Sequence, residues 1–428
     1  MDFFNSHNIL HKTADIDGIP LHHFERRGSP IFIKTYIRAG ARYDTKEGTA
    51  HFLEHMLVAG THRFPTKDIL AEYIEDVGGS FVFTTNLDFI MIDIQVPEAG
   101  DLEVAMTVLN EVMSETLFNP IMFESERGAI NSEYINRKST QKTWVWDTFR
   151  HLVFRGTVLD RSILGDNQPL TDISLQDLID FKNKFFTREN ISIITTGDIN
   201  IETLTPAIKK ALEPIKNEEI NTRAGIVKDA AIAIPEKEYF KLDIYKSKQA
   251  SLVAGFRLHS FTLLDVACVA ICAQYLAVGR ASFLVKKLRY EKGLIYDITA
   301  FGDVYKDRGL LQIKTDCEAT LFSEVINTIR ECLAKFIKNG IPSDKLAHIK
   351  TKLLKSFKIK LQTSGNFIEW SGNFAKLSEY KTIGDYVAVL GSISEKDIRN
   401  YIDQNISLEC MYLAVCGDES LKNFKFHE

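Results

Sequence analysis

The feature that most constrains the fold of this 428-residue chain is an internal repeat. The segment ISLQDLIDFKNKFFTRENISIITTGD begins at Ile173, and a similar segment, ISEKDIRNYIDQNISLECMYLAVCGD, begins 220 residues later at Ile393. Each copy opens with a serine that an aspartate follows three residues later, which is the pattern of a capped helix. A run of apolar and β-branched residues then predicts a buried strand in each copy.

A second match lies near the start of each half. The segments IFIKTYIRAG at Ile31 and ASLVAGFRLH at Ala250 both predict strands. At an offset of 219 residues, AHFLEHMLVAG aligns with VAICAQYLAVG, which places Gly60 over Gly279. The chain is also too long for a single hydrophobic core. We therefore expect two similar domains, residues 1–213 and 235–428, joined by a polar linker at 214–234.

The order of elements in the first half indicates the fold class. Pairs of strands alternate with runs of helices, which predicts an α+β fold in which helices pack on a largely antiparallel sheet. The predicted strands lie near 17–25, 30–38, 79–85, 88–96 and 190–196. The predicted helices lie near 46–59, 66–77, 101–117, 120–139 and 174–187.

Composition excludes several classes of partner. The net charge of -5 gives no sign of a nucleic acid or an anionic membrane surface as partner. The six cysteines form no CxxC pair, which indicates reduced thiols. The N-terminal residues do not resemble a signal or transit peptide, and the longest apolar stretch is interrupted by Asp265 and Gln274. The expected location is the cytoplasm.

The segment HFLEH carries the clearest chemical signal. His51 and His55 are four residues apart on a predicted helix, so both imidazoles can reach one ion, and imidazole is a natural zinc ligand. Glu54 can border the same ion without binding it, as a general base on a metal-held water does. The order HxxEH is the inverzincin pattern. The alternative interpretation is a partly exposed helix with ordinary polar residues on its outer face.

The repeat helps to choose between these interpretations. The second copy has Ala270, Ala273 and Gln274 where the first has the two histidines and the glutamate, whereas the apolar neighbours persist. A helix of this fold therefore does not need the polar trio for packing, which favours the metal site.

A hydrolytic zinc site needs a third protein ligand. The segment FESERGAINSEYINR predicts a helix that Pro120 starts, and this helix carries Glu124, Glu126 and Glu133. Glu126 and Glu133 are two turns apart on one face, so either could complete the site while the other supports it. Spacing alone leaves the choice among these glutamates open, and a solvated helix face is the alternative.

Three motifs together resemble a known family. HFLEH, then ERGAINSE at 126–133, then LRYEKGLIY at 288–296 are similar to motifs of the pitrilysin and insulysin (inverzincin) zinc peptidases. The chain most resembles the two-domain type that includes mitochondrial processing peptidase and its bacterial relatives. The resemblance covers nearly the whole chain.

The resemblance implies a role for each site residue. His51, His55 and Glu133 would bind one zinc ion per chain. Glu54 would be the base that activates water, and Glu126 would orient the site. In the second half, Arg289 and Tyr296 match an arginine and a tyrosine that touch the scissile region of the substrate.

The resemblance also implies an activity and a partner. The expected function is that of a zinc-dependent endopeptidase, which hydrolyses peptides or unfolded segments inside a chamber of four domains. Two chains would form this chamber, as a homodimer or as a heterodimer with a paralogue. The alternative is a non-catalytic peptide-binding or scaffold member of the family.

One position departs from the family pattern. After Gly78 and Gly79 the family has an asparagine and a small alanine on a strand that lines the cleft, and here Val82 and Phe83 occupy those positions. This change removes a polar side chain that would bind the peptide, and it predicts a different side-chain preference.

Overall fold

A computed structural model describes residues 3–4, 7–165, 167–216, 239–258, 262–305, 308–376, 380–424 and 426. The predicted linker lies, beyond residue 216, outside the described residues. The chain forms two compact units, the first made of Met1–Ile135, Arg161–Asp229 and Lys360–Ala375, and the second of Asn136–Asp160, Ala230–Ile359 and Lys376–Glu428. The division into 1–213 and 235–428 stays a prediction, to which the structure adds that each unit includes a segment from the other half.

The first unit contains, in its described part, a six-stranded sheet with the order β1-β2-β6-β3-β5-β4. Neighbouring strands are antiparallel except β2 and β6, so the predicted α+β class with a largely antiparallel sheet is confirmed. The strands are β1 (Leu10–Ile16), β2 (Ile19–Glu25), β3 (Ile31–Ile37), β4 (Ser80–Thr85), β5 (Ile90–Val96) and β6 (Ile191–Gly197).

All five helices with predicted bounds in the first half are present. The helices are α1 (Thr49–Ala59), α2 (Lys67–Glu75), α3 (Leu102–Ser114), α4 (Pro120–Ser139), α5 (Gln141–Phe154), α6 (Asn167–Asp172), α7 (Leu175–Phe185) and α8 (Ile201–Ala211). Of these, α5, α6 and α8 are additional to the predicted helices. One apolar core joins the inward residues of the sheet, such as Ile92 and Ile94, to α1, α3, α7 and α8. Burial of this apolar surface is the main source of the unit's stability.

The second unit has a five-stranded sheet in its described part, with the order β7-β11-β8-β10-β9. Its strands are β7 (Phe240–Ile244), β8 (Gln249–Leu258), β9 (Ile298–Val304), β10 (Gly309–Glu318) and β11 (Tyr412–Gly417). The second half of the sequence forms the helices α9 (Leu263–Leu276), α10 (Phe322–Asn339), α11 (Ser343–Lys360), α12 (Ser364–Gly372), α13 (Ile383–Ser392) and α14 (Glu395–Asn405). The Thr363 side chain caps α12. A π-helical turn, Lys286–Glu291, follows α9 along the chain.

The repeat in the sequence is a repeat in the structure. Strands β7 and β11 form a parallel pair, as β2 and β6 do. The two predicted helix starts carry the same capping box, in which Ser174 and Asp177 in α7 correspond to Ser394 and Asp397 in α14. Local sequence and sheet pairing therefore agree on two copies of one domain.

The two copies exchange one helix. Helix α5, from the first half, packs on β7, β8 and β11 of the second unit, and helix α12, from the second half, packs on β3 and β6 of the first. Polar contacts hold each helix: Trp144 and Thr148 of α5 donate hydrogen bonds to Asp243, and Glu369 of α12 pairs with Lys34. Each unit therefore depends on a segment that the other half supplies.

Among the described residues, no helix is both long enough and apolar enough to cross a membrane.

Candidate metal centre

The first turn of α1 is fixed by an aspartate that precedes the helix. The Asp44 carboxylate, 2% exposed, accepts hydrogen bonds from the backbone N–H groups of Gly48 and Ala50, both at 2.9 Å. These are two of the donors that a helix N-terminus leaves unpaired. Gly48 has a φ of +91°, and a Cβ there would lie 3.1 Å from the backbone of Gly165, so this position favours glycine. Together these contacts determine where α1 begins and how its face is directed.

Helix α4 begins at Pro120, as predicted, and extends for 20 residues. The Asn119 side chain caps it by accepting hydrogen bonds from the N–H groups of Ile121 and Met122. Three residues anchor the inward face of α4 in the core: Phe123, Ile130 and Tyr134 are buried. This packing therefore fixes where the glutamates of α4 lie relative to α1.

Three side chains from α1 and α4 meet at one point. The Nε2 atoms of His51 and His55 each lie 3.7 Å from Oε2 of Glu133. One ligand atom from each of these residues lies within 4.8 Å of the others. Spacing placed the two histidines together, and the structure adds Glu133 from about 80 residues along the chain.

The donor set fits a divalent cation. Atoms that bind one tetrahedral zinc ion at ~2.0–2.1 Å lie roughly 3.3 Å apart, close to the nitrogen–oxygen distances found here. The histidines are largely buried, with side-chain exposures of 8% and 18%, whereas Glu133 is 50% exposed. Two imidazoles and one carboxylate with an open side suit a catalytic zinc site better than a closed structural one.

The structure distinguishes the three glutamates that the sequence left open. Nδ1 of His55 lies 2.8 Å from Oε2 of Glu126, and Nε2 on the other side of the ring lies 3.7 Å from Glu133. Glu124 points elsewhere and accepts a hydrogen bond from Arg127 at 3.1 Å. Glu133 is therefore the ligand candidate and Glu126 the supporting residue.

Charges in the site act strongly on His55 and Glu126. Burial favours the neutral His55 ring, but hydrogen bonds to Glu126 and Glu133 and the charge of Glu54 outweigh it and raise the pKa of His55 from 6.5 to about 9. The hydrogen bond from His55 in turn lowers the pKa of Glu126. Without a cation, these carboxylates hold a proton on His55, and a metal ion would replace that proton.

Glu54 lies beside the triad, next to the end of edge strand β4. Burial raises the pKa of Glu54, and the Glu133 charge adds to this, whereas Thr85 and His55 oppose it. Thr85 is the last residue of β4 and is 8% exposed. Thr85 was not predicted from the sequence, because nothing in the spacing of β4 connects it with α1.

The second copy lacks every one of these groups. Ala270, Ala273 and Gln274 lie on α9, and the Gln274 amide donates to the Val278 carbonyl instead of facing a partner acid. Arg127 of α4 and Lys350 of α11 donate to the equivalent carbonyls of Ile173 and Ile393, which aligns the two helices at an offset of 223 residues. At that offset, Glu126 and Glu133 correspond to Ile349 and Ser356.

Arg289 and Tyr296 lie together in the second unit. The guanidinium carbon of Arg289 lies 4.8 Å from the centre of the Tyr296 ring, and Tyr296 is 82% exposed. Arg289 itself lies on the π-helical turn, a distortion that is frequent at functional sites. The two side chains therefore place a guanidinium and a phenol next to each other.

The structure separates the two residues that depart from the family pattern. Val82 is 51% exposed on edge strand β4. Phe83 faces inward, stacks edge-on against Phe81 with ring centres 5.6 Å apart, and packs on the core. Val82 is therefore the more exposed of the two side chains.

Comparisons with known proteins agree with this architecture. The model of the insulinase family (peptidase family M16) matches residues 31–167, and the model of the peptidase M16 inactive domain matches residues 172–353. The first match contains the candidate metal-site residues, and the second begins just before α7, so it includes the last part of the first copy. The second copy has other residues at the positions of the candidate metal ligands, which agrees with the word inactive in the description of the second match.

Individual relatives extend the similarity over most of the chain. An uncharacterized zinc protease from Bacillus subtilis is 23% identical over 85% of this chain and 87% of its own. The β subunit of the mitochondrial-processing peptidase from Dictyostelium discoideum is 27% identical over 51% of this chain and 47% of its own. A crystal structure of a peptidase M16 inactive domain from Pseudomonas fluorescens superposes with a TM-score of 0.83 at 16% identity, covering 96% of this chain and 98% of that one, which shows the shared fold.

Proposed function

We propose that this chain, which belongs to the M16 insulinase family of peptidases, is a zinc-dependent endopeptidase. The observation that carries the proposal is the meeting of His51, His55 and Glu133 at one point, with Glu54 beside them. The names of relatives from two bacterial genera, which call them zinc proteases, support zinc as the metal.

The residues of this chain divide the work of peptide hydrolysis. Zinc, when bound by the two histidines and Glu133, supplies a Lewis acid that polarises a water and a peptide carbonyl. Glu54 takes a proton from the attacking water and returns it to the leaving amine. Glu126 holds the His55 ring in the orientation that directs Nε2 to the ion.

Arg289 and Tyr296 complete the proposed site from the second unit. A guanidinium and a phenol are suitable donors to the negative charge that develops on the carbonyl oxygen. We propose that two chains pair, with these two residues serving the metal centre of the partner chain. Because both motifs are present in one sequence, a homodimer is the preferred form, and a heterodimer with a paralogue is the alternative.

The substrates proposed are peptides and unfolded segments, since a chamber enclosed by two chains would exclude folded proteins. The proposed location is the cytoplasm. All six cysteines are free, and five of them are buried, which supports a reducing compartment.

A non-catalytic, peptide-binding role is the second candidate. Its supporting observation is Val82, an exposed apolar residue where the family pattern has a peptide-binding asparagine. Such a protein would hold peptides without cleaving them.

The experiment that separates the candidates is cleavage of a quenched fluorescent peptide library by the purified chain. We expect Glu54→Gln to retain zinc and lower kcat by at least about 100-fold, the usual contribution of a general base. His51→Ala should lose both zinc and activity. Glu103→Gln, on the exposed face of α3, is the matched control and should leave both unchanged. Stoichiometric zinc without cleavage of any peptide would favour the binding role.

The proposed pairing has its own test. Mixtures of Glu54→Gln with Arg289→Ala should regain activity that each variant lacks alone, because a mixed dimer contains one complete site. A strict monomer with full activity in analytical ultracentrifugation would contradict the pairing.

A further inference from the structure

Two aromatic rings connect the helices that carry the metal-site residues. Phe52 follows His51 on α1, and Phe123 lies one turn before Glu126 on α4. Their rings stack with centres 4.6 Å apart and planes within 2° of parallel. Both residues are buried, at 0% and 5% exposure. The spacing between α1 and α4 is therefore set beside the metal centre by this stacked pair.

Arg127 is fixed against both rings. Its guanidinium carbon lies 4.6 Å from the centre of the Phe123 ring and 5.4 Å from that of Phe52. Its N–H groups donate to the carbonyls of Leu170 and Ile173, just before α7, and to Glu124. A planar guanidinium that is stacked on its face and bonded at its edges has little freedom left.

Comparison with the second copy shows which of these contacts are common to both units and which are not. Lys350 donates to the Ile393 carbonyl as Arg127 does to Ile173, so this bond belongs to the fold of both units. The rings do not recur: Phe52 corresponds to Ile271, and Phe123 to Leu346, both of which are buried aliphatic residues. The stacked arrangement thus occurs in the unit with metal ligands, and an aliphatic one suffices in the unit without them.

We infer that Arg127 is a positioning residue that sets the distance of Glu126 and Glu133 from His51 and His55, and thereby the zinc affinity. The inference rests on the proposed function only in taking zinc as the ion. Arg127 acts through the helix that it anchors: it neighbours Glu126 in the chain, and the stacked rings transmit its position to α1. A small displacement of α4 would move both carboxylates together.

The test is the zinc dissociation constant, measured by competition with a chromophoric chelator. Arg127→Lys reproduces the residue of the second copy, keeps a cationic donor and loses the flat stacking surface. We expect it to weaken zinc binding about 10-fold, and Arg127→Met to weaken it up to about 100-fold, the range found when residues that orient metal ligands are changed. The metal-free Arg127→Lys protein should melt close to the wild type.

The matched control is Lys350→Met, which removes the same kind of helix-to-carbonyl bond from the unit without ligands. It should lower the melting temperature and leave zinc affinity unchanged. If both Arg127 variants bind zinc within twofold of the wild type, or if Lys350→Met weakens binding equally, the inference is wrong. A wild type that binds zinc but cleaves no peptide would contradict the proposed peptidase activity. The zinc affinities of the Arg127 variants would still decide whether Arg127 positions the ligands.

Discussion

The buried cation of the first sheet offers a prediction whose size follows from the structure. Lys34 on β3 is 1% exposed, and its Nζ lies 3.3 Å from Oδ2 of Asp93 on the neighbouring strand β5. It also pairs with Glu369 of the exchanged helix α12. We expect Lys34→Met to destabilise the first unit strongly, because the substitution leaves a carboxylate in the interior without its counter-charge.

The magnitude depends mainly on Asp93. This residue is 5% exposed, its Oδ1 has no hydrogen-bond partner among the described residues, and Oδ2 keeps only a long bond from Gln95 at 3.3 Å. Removing one partner of a buried pair costs about 3–5 kcal/mol. At ~2–4 °C per kcal/mol for a unit of this size, the melting temperature should fall by roughly 10 °C. The Glu369 side chain is 65% exposed, so its share should stay below about 1 kcal/mol.

Differential scanning calorimetry is the assay, since two units need not melt as one transition. Lys12→Met is the control, because Lys12, on β1 of the same sheet, pairs with the exposed Glu202 of α8, and loss of this pair should cost little. The double variant Lys34→Met/Asp93→Leu should recover most of the loss, since apolar residues often replace a buried pair without cost. A shift for Lys34→Met no larger than that for Lys12→Met would contradict the stabilising role of the buried pair, and so would a double variant that recovers nothing.

Three further predictions concern the first unit. Burial lowers the pKa of Lys182 from 10.5 to about 7, against the attraction of Glu115. Between these two pH values the unfolded state binds one more proton than the folded state, so the free energy of unfolding should rise with pH by up to about 1.4 kcal/mol per pH unit. In urea titrations from pH 7 to 10, Lys182→Met should lack this rise, and equal slopes for the variant and the wild type would contradict the assignment. Asp44→Ala removes the cap of α1 and should cost about 1–2 kcal/mol in urea denaturation and weaken zinc binding in the chelator assay, whereas unchanged values for both would show that the cap does not position the helix. Val82→Asn restores the family pattern on the edge strand and should lower KM for peptides without changing zinc content, and a KM equal to or above that of the wild type would remove Val82 from the substrate surface.

The sequence predicted the parts of the fold that local patterns determine. Helix α4 begins at the predicted Pro120, and β2 to β6 lie within two residues of their expected bounds because turn residues and alternation mark them. Strand β1 was not predicted from the sequence. The repeat predicted two similar sheets, and both capping boxes are present. The histidine pair followed from helical spacing alone.

The rest depends on contacts that spacing does not encode. Glu126 and Glu133 share one helix face, so spacing left the choice between them open, and it is the packing of α4 that brings Glu133 close to Nε2 of both histidines. Arg127 reads as an ordinary surface cation until its carbonyl partners near α7 are known. Helix α5 has the composition of any amphipathic helix, so nothing local tells which sheet it covers.

The helix exchange has a consequence for dividing the chain. Two separate polypeptides, one for each half, would each keep their strands but lack the helix, α5 or α12, that packs on them. Each half alone would then leave apolar strand residues in contact with water, so we expect the halves to be stable only when they are present together.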